Sequence, residues 1–248
     1  MTAMRLKRYP SSSGGIALGK VGVGATMLKQ GKTARDYVQD GLVRMFDGIE
    51  NDGYGKHDAN MSTWRELVTD TMLSSYEMYT MKNGGTNYYY GGNLATKDTV
   101  NGGYLAQIWS TAIFSMSITI SFPDGIKLGG WNYSSPINPV ATSCNADNVA
   151  LRCYGQGWQK FYFSPGDLVN VCFSLDGKEG IIYANGVALP RVYTVPEIHD
   201  VTYSRPYGWE ISNPTYRHYH NFRIYNRPLS AAEIAANYAI DKERFNLQ

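Results

Sequence analysis

Acidic and amide side chains that could bind a metal ion are concentrated in one stretch of the chain near residue 50. This stretch contains Asp47, Asp52 and Asp58 together with Asn51 and Asn60. Carboxylate and amide oxygens are the ligands that Ca2+ takes in proteins, although the spacing is not that of the twelve-residue calcium loop. The same residue types also form turns without any ion. Both interpretations stay open, and if calcium binds here, Asp47 and Asp52 are the expected ligands.

Two histidines, His218 and His220, are a second candidate for metal chemistry. Residues i and i+2 of a strand point to the same face, so the pair could begin a zinc site. No third ligand is identifiable, because His57 and His199 are remote along the chain. We therefore predict exposed strand histidines rather than a zinc centre.

The sequence does not indicate phosphate-binding or nucleophilic chemistry. Residues 14–20 have the glycine and lysine spacing of a phosphate-binding loop, but Val21 occupies the position of the Ser or Thr that holds magnesium. No Ser, Cys or Thr lies in a recognisable nucleophile motif. We therefore predict no catalytic residue, no nucleotide site and no nucleic-acid partner.

The elements that must position these side chains are short strands separated by turn signals. In residues 112–122 apolar and mostly polar side chains alternate, which is the period of a strand. Asn185-Gly186 supplies the positive φ angles of a tight hairpin. Many such strands, turns about every ten residues and no internal repeat predict an all-β sandwich. The apolar positions of 112–122 are Phe114, Met116, Ile118, Ile120 and Phe122.

The C-terminal segment predicts a strand, a turn and a helix. Residues 218–225 alternate around Phe222 and Ile224, as in a half-buried closing strand. Ser230 and Glu233 have the spacing of a capping box, in which a hydroxyl and a carboxylate each bind an amide at a helix start. The helix that follows presents Ile234 and Tyr238 on one face.

Together these segments resemble laminin-G-like domains of the concanavalin A-like lectin/glucanase superfamily. The resemblance is carried by the C-terminal strand and capped helix, the Tyr-x-Asn-Gly hairpin at 183–186, the opening strand at 40–47 and the Trp64-Arg-Glu-Leu67 step, where Glu66 replaces the family's Asp. It implies a concanavalin A-like jelly-roll sandwich of two antiparallel sheets with a short C-terminal helix. We assign the sandwich to residues 38–248 and an N-terminal extended arm to residues 1–37.

The resemblance also raises the question of glycoside hydrolysis. Relatives that hydrolyse β-glucans carry a Glu-x-Asp-x-x-Glu strand, because retaining hydrolysis needs a nucleophile and an acid about 5 Å apart. The nearest string here, Glu50-Asn-Asp52-Gly-Tyr-Gly55, ends in Gly instead of the second Glu. A non-catalytic chain is therefore predicted, and a hydrolase with an atypical acid pair is the weakest alternative.

Aromatic side chains in predicted loops are the candidates for binding. In lectin-type sandwiches sugars stack on such rings, while amides, carboxylates and backbone groups bind the hydroxyls. Burial in the core is the competing interpretation, and it is stronger for Trp64 and Trp109. The predicted ligand-binding residues are Trp131, Tyr133, Trp158, Tyr203, Tyr207 and Trp209.

Charge is distributed unevenly along the chain. Residues 1–35 contain 7 basic and no acidic residues; subtracting these 7 from 23 leaves 16 basic against 21 acidic residues in the remainder. A basic, Gly- and Ser-rich arm on an acidic body indicates docking to a partner. No apolar run is long enough to span a membrane, and no secretory signal is recognised. The thiols of Cys144, Cys153 and Cys172 are expected to be unpaired and mostly buried.

Plain sandwiches of this kind are similar to domains in structural proteins of tailed phages and prophages. That similarity implies a non-catalytic module that binds a glycan or a cell-surface receptor, in a virion or on another extracellular surface. It would act as a fibre, decoration or receptor-binding protein, with the arm docked on other assembly proteins and a homo-oligomer as a compatible state. The main alternative is a purely structural assembly protein, whose aromatic residues are buried between subunits and bind no sugar.

Overall fold

The computed structural model describes residues 31–61, 64–72, 82–83, 89–90, 113–121, 140–144, 148–153, 156–164, 167–196 and 218–245. Within these ranges the chain forms β-strands, one turn of 3-10 helix at Ala34–Asp36 and an α-helix, α1, at Ala231–Phe245. The strands are β1 (Leu42–Asp47), β2 (Arg65–Glu66), β3 (Thr71–Met72), β4 (Lys82–Asn83), β5 (Tyr89–Tyr90), β6 (Ile113–Ser121), β7 (Val140–Cys144), β8 (Asn148–Cys153), β9 (Gln159–Tyr162), β10 (Leu168–Asp176), β11 (Glu179–Ala184), β12 (Val187–Thr194) and β13 (His218–Tyr225).

The larger sheet has eight strands in the order β12-β11-β10-β6-β13-β5-β4, with β1 also paired to β13. Every pair in it is antiparallel. One edge of β13 is shared, because β1 runs along its C-terminal half while β5 pairs with His218 and Tyr219. Strand β12 ends the order on the other side.

The second sheet contains β7, β8 and β9, and β2 and β3 form a separate two-stranded ribbon. The main apolar core joins the two larger sheets, since Val149 and Leu151 of β8 cluster with Phe114 and Met116 of β6 and with Phe173 of β10. The alternation predicted for β6 is confirmed, because its even-numbered apolar residues enter this core. Two antiparallel sheets enclosing an apolar core confirm the predicted all-β sandwich.

Helix α1 covers the opposite face of the large sheet. A second apolar cluster forms there, and it includes Tyr37, Met45, Tyr225, Ile234 and Ile240. Ser115, Ser117 and Thr119 of β6 lie on this face and are buried. The prediction of a half-buried closing strand is therefore wrong in one respect, because β13 is covered on both faces.

A β-bulge in β13 changes which side chains face the main core. The register with β6 shifts between Tyr219 and Asn221, and an extra residue reverses the alternation beyond it. Tyr219 and Phe222 consequently both enter the main core. His220 is buried on the helix side, where its Nε2 lies 2.8 Å from the hydroxyl oxygen of Ser121 and its ring meets the edge of Phe245. The prediction of exposed histidines is therefore wrong for His220.

Both local turn predictions are confirmed. The Ser230 amide donates to the Glu233 carboxylate over 2.9 Å, and the Glu233 amide donates back to the Ser230 hydroxyl over 3.3 Å. In the β11–β12 hairpin Asn185 and Gly186 have φ angles of 48° and 76°. A Cβ on Gly186 would also lie 2.9 Å from the ring of Tyr238, so glycine is required there for space as well as for φ.

The packed body begins earlier than the sequence indicates. Ala34 and Tyr37 are buried, and the Tyr37 hydroxyl donates to Asp241 of α1 over 2.6 Å. The Ala34 amide donates to the Glu50 carboxylate over 2.6 Å. Residues 33–37, which the sequence analysis places in the arm, therefore make specific contacts with the sandwich.

A tryptophan and two cysteines that were predicted to be buried lie in the described ranges. Trp64 is fully buried and donates its indole N–H to the Asp47 carbonyl oxygen over 2.9 Å, as expected for a core tryptophan. Cys153 and Cys172 are unpaired and buried, as predicted. Trp109 and the side chain of Cys144 lie outside the described residues. No helix in the described part of the chain is sufficiently long and apolar to span a membrane.

Candidate binding surface

One of the predicted ligand-binding residues, Trp158, lies in the described part of the chain. It sits in the turn between β8 and β9, at one end of the three-stranded sheet. The others lie outside the described residues, and their role stays a prediction: Trp131, Tyr133, Tyr203, Tyr207 and Trp209.

The ring of Trp158 is held at the surface by an arginine. Trp158 is partly exposed and belongs to neither apolar cluster. The guanidinium carbon of Arg152 lies 4.3 Å from the ring centroid, which is a cation–π contact. Arg152 is itself buried, and its guanidinium group covers one face of the Trp158 ring.

Hydrogen bonds to strand β12 fix the turn that carries Trp158. The Tyr193 hydroxyl lies 3.1 Å from the Gly157 carbonyl oxygen and accepts a bond from the Gln159 amide, also over 3.1 Å. The Gln159 side chain accepts a second bond from the Arg191 backbone N–H over 2.8 Å. Burial raises the pKa of Tyr193, so its hydroxyl keeps the proton that it donates. The turn is therefore attached to the edge of the large sheet.

Gly157 brings the charge of Arg191 next to Trp158. A Cβ on Gly157 would lie 2.3 Å from Nη1 of Arg191, so the guanidinium group occupies the space of a side chain there. Arg191 is exposed, and its guanidinium carbon is 6.0 Å from the centroid of the Tyr193 ring. A side chain at position 157 would displace the guanidinium group of Arg191 from this place.

Strand β9 continues the surface with two further exposed side chains. Phe161 pairs with Val149 and packs against the main core. Since successive strand residues face opposite sides, Lys160 and Tyr162 point outward. Both are exposed, and Tyr162 retains 62% of its accessible area. Trp158 has the same phase, so these three residues form a row that we call the β9 row.

The β9 row is positively charged. Lys160 lies within it, Arg191 lies against Gly157 just before its first residue, and Arg152 contacts the ring of Trp158. Within the described residues neither Lys160 nor Arg191 forms an ion pair with a carboxylate. Exposed rings can stack on the apolar face of a ligand, and adjacent cations can bind its oxygen atoms. The arrangement is suited to binding rather than to bond cleavage.

The carboxylate of Asp47, a predicted calcium ligand, is already saturated with donors. It accepts bonds from Arg244 Nη1 over 2.6 Å and Nη2 over 2.9 Å, from Asn221 over 2.7 Å, and from the amides of Ile49 and Glu50. A calcium ion would have to displace the guanidinium group of Arg244. Asp47 in this arrangement does not fit a calcium ligand.

Asp52, the other predicted calcium ligand, lies apart from Arg244. Its carboxylate is 3.3 Å from Nε of Arg65. Asp58 and Asn51 close their turn through two reciprocal 2.8 Å hydrogen bonds instead of pointing toward a shared centre. Among the described residues no three His, Cys, Asp or Glu side chains converge as metal ligands. Calcium binding stays a prediction.

The most highly charged part of the described interior lies under α1. Arg223 and Asp241 are fully buried and 2.6 Å apart, and Asn170, Thr119 and Tyr37 also bond the Asp241 carboxylate. Burial and the charge of Asp241 raise the pKa of Tyr37, so it acts as a neutral donor. Every member is bonded and inaccessible, so this cluster is structural.

Sequence reasoning missed Lys160, Tyr162 and Arg191. A signal existed for the first two, because residues 158, 160 and 162 share one phase of the period of two that a strand has. Arg191 reaches Gly157 only through tertiary contacts between β12 and the segment at Gly157 and Gln159, and no local pattern shows this.

Comparison with known proteins gives the fold. No family model and no curated protein matches the chain. A mutant Trypanosoma rangeli sialidase with trans-sialidase activity aligns with a TM-score of 0.53 and 15% identity over 80% of this chain and 32% of that one. The T. rangeli sialidase in complex with sialic acid aligns with a TM-score of 0.53 and 14% identity over 80% of this chain and 32% of that one. The binding domain of Paraclostridial Mosquitocidal Protein 1 aligns with a TM-score of 0.47 and 12% identity over 80% of this chain and 52% of that one.

At these identities the sialidase likeness establishes a shared β-sandwich fold and nothing more. The chain spans about a third of the length of the sialidase chains.

Proposed function

We propose that this chain is a non-catalytic carbohydrate-recognition sandwich, and that the β9 row is part of its binding surface. The observation that carries the proposal is the pair of solvent-accessible rings at the two ends of β9, Trp158 just before the strand and Tyr162 at its last residue. Solvent-exposed rings that a sheet holds in place give a ligand apolar contact at little cost in side-chain entropy. Carbohydrate rings have an apolar face that fits this contact.

Two further observations support the proposal. One structure that shares the fold is a sialidase in complex with sialic acid, so the fold occurs within a protein that binds a sugar. In this chain Glu50, one of the two acids of the nearest glucanase-like string, is buried and bonded to Arg244 over 3.0 Å. A carboxylate engaged in this way is poorly placed to attack or protonate a glycoside.

We further propose a laminin-G-like assignment and a setting in a phage-type virion or another extracellular surface assembly. The sequence resemblance supports both. In this setting the basic N-terminal segment would dock on other assembly proteins, and the sandwich would bind the glycan or receptor. The wider surface would include Trp131, Tyr133, Tyr203, Tyr207 and Trp209.

A glycan array tests the proposed function directly. Purified full-length protein is compared with Trp158→Ala and Tyr162→Ala, each with calcium and with a chelator. We expect saccharide binding that both substitutions weaken by about tenfold or more, since a stacked ring contributes on the order of 1–2 kcal/mol. Val187→Ala is the control, because Val187 is 68% exposed on β12 outside the β9 row.

The outcomes separate the candidate functions. Binding that Trp158→Ala and Tyr162→Ala leave unchanged would move the site to other loops. Absence of binding in every condition, from a protein that unfolds cooperatively, would favour a purely structural assembly protein. Binding that the chelator abolishes would support the calcium prediction.

A further inference from the structure

We infer that the β9 row selects anionic glycans, with Lys160 and Arg191 binding carboxylate or sulfate groups while Trp158 and Tyr162 stack on the sugar rings. This inference rests on the proposed carbohydrate-binding function and adds the chemical class of the ligand. It follows from the rings of this surface and from the two exposed cations beside them, which form no ion pair among the described residues.

Arginines elsewhere in the described chain are mostly matched to carboxylates. Arg65 contacts Asp52 and Asp70, Arg223 contacts Asp241, Arg227 contacts Asp40 and Glu233, and Arg244 contacts Asp47 and Glu50. Lys160 and Arg191 have no such partner among the described residues, and both are exposed. Their positive charge is therefore available to an anion from outside.

The positions of these cations match the positions of the rings. Strand residues rise about 3.3 Å each, so the backbone of Lys160 lies roughly 7 Å from that of Tyr162, and Trp158 precedes Lys160 by two residues, just before β9 begins. A ligand that reaches both rings must contain more than one sugar, and its middle portion would pass over Lys160. Arg191 would meet an acidic group at the Trp158 end.

The arginine at that end is pre-positioned. Its backbone is bonded to Gln159, and its guanidinium group rests on Gly157. A planar guanidinium group presents paired donors that fit a carboxylate or a sulfate. The surface thus combines stacking with anion recognition.

Matched pairs of ligands test the inference by isothermal titration calorimetry. 3′-Sialyllactose is compared with lactose for a carboxylate, and chondroitin sulfate is compared with unsulfated chondroitin for a sulfate. We expect the acidic or sulfated member of at least one pair to bind about tenfold or more tightly, because hydrogen bonds to charged groups are stronger than those between neutral groups. The preference should weaken as NaCl is raised.

Lys160→Gln/Arg191→Gln should remove the preference, so that the acidic and neutral members of each pair bind this variant equally. Arg191→Lys should retain part of it, and Lys242→Gln, which removes an exposed charge on α1, should retain all of it. Equal binding of both members of each pair would overturn the anionic selectivity and leave the carbohydrate function intact. No binding of any member by the folded protein would overturn both.

Discussion

The two groups of cations in this protein differ in what neutralises them. Under α1, Arg223 and Arg244 are almost completely buried, and each contacts carboxylates within 3.0 Å. Lys160 of the β9 row and the neighbouring Arg191 are exposed and have no carboxylate partner among the described residues. The difference indicates that the charges of the first group stabilise the fold, whereas the charges of the second group are available to bind a ligand.

The energetic consequences follow from burial. A buried ion pair contributes little net stability compared with an apolar pair of similar volume, yet the loss of one partner leaves an uncompensated charge. For Arg223 burial opposes the charged form, but Asp241 and Tyr37 overcome it and raise the pKa. An exposed cation remains hydrated whether or not a neighbour is present. Substitutions at the two groups should therefore differ in size.

The largest effect is expected for Asp241→Asn. This substitution removes the charge that neutralises Arg223 and disturbs the bonds from Asn170, Thr119 and Tyr37. We expect a loss of about 3–5 kcal/mol in the free energy of unfolding, measured by urea denaturation. Arg227→Gln is the control, because its ion pairs lie at the surface and should contribute about 1 kcal/mol or less.

A double substitution strengthens this test. Arg223→Met/Asp241→Leu removes both charges together and should recover much of the stability that Asp241→Asn loses. If Asp241→Asn were no more destabilising than Arg227→Gln, the cluster under α1 would not be the electrostatic support of the fold, and the contrast with the β9 row would fail.

Sequence patterns predicted the strands better than the faces they present. Alternation in β6 correctly placed Phe114 and Met116 in the main core, because a strand has a fixed period of two. The alternation in β6 could not show that α1 covers the other face of the sheet. That packing depends on contacts between residues distant in the sequence, since Arg223 and Asp241 are 18 residues apart and Asn170 and Asp241 are 71 apart. The bulge in β13 likewise gives no local signal.

The candidate surface shows the same limit. Trp158 was predicted from its residue type and its loop, which are local properties. Its support by Arg152 depends on the pairing of β8 with β9, and the position of Arg191 depends on contacts between the two sheets. The acids at 47 and 52 predicted a calcium site, but Arg244, almost two hundred residues away, occupies Asp47.

An intermediate effect that depends on pH is expected for Glu233→Gln. Hydrogen bonds from Arg227, and then from Ser230, lower the pKa of Glu233 to about 2. Because the folded pKa lies below the ordinary value near 4.5, the carboxylate stabilises the fold above that pH. This contribution is lost as the pH falls from about 4.5 toward 2.

Urea titrations of Glu233→Gln and the parent protein at pH 7, 5 and 3.5 measure this effect. The variant should be less stable by about 1 kcal/mol or less at pH 7, the size expected for a helix cap and a partly exposed ion pair. The difference should narrow at pH 3.5. A difference that stays constant across the series would assign the effect to packing of the side chain instead of its charge.

The smallest effect on stability is expected for Lys160→Gln/Arg191→Gln, although these substitutions should change ligand selectivity most. Neither cation contacts a carboxylate among the described residues. Removing them should therefore alter the free energy of unfolding by no more than about 0.5 kcal/mol. Thermal and urea unfolding measure this without any ligand.

A loss above about 1 kcal/mol would mean that the cations support the turn at Gly157 themselves, and the β9 row would then belong with the structural charges under α1. A negligible loss, combined with lost anion selectivity, would separate the two groups of cations by function.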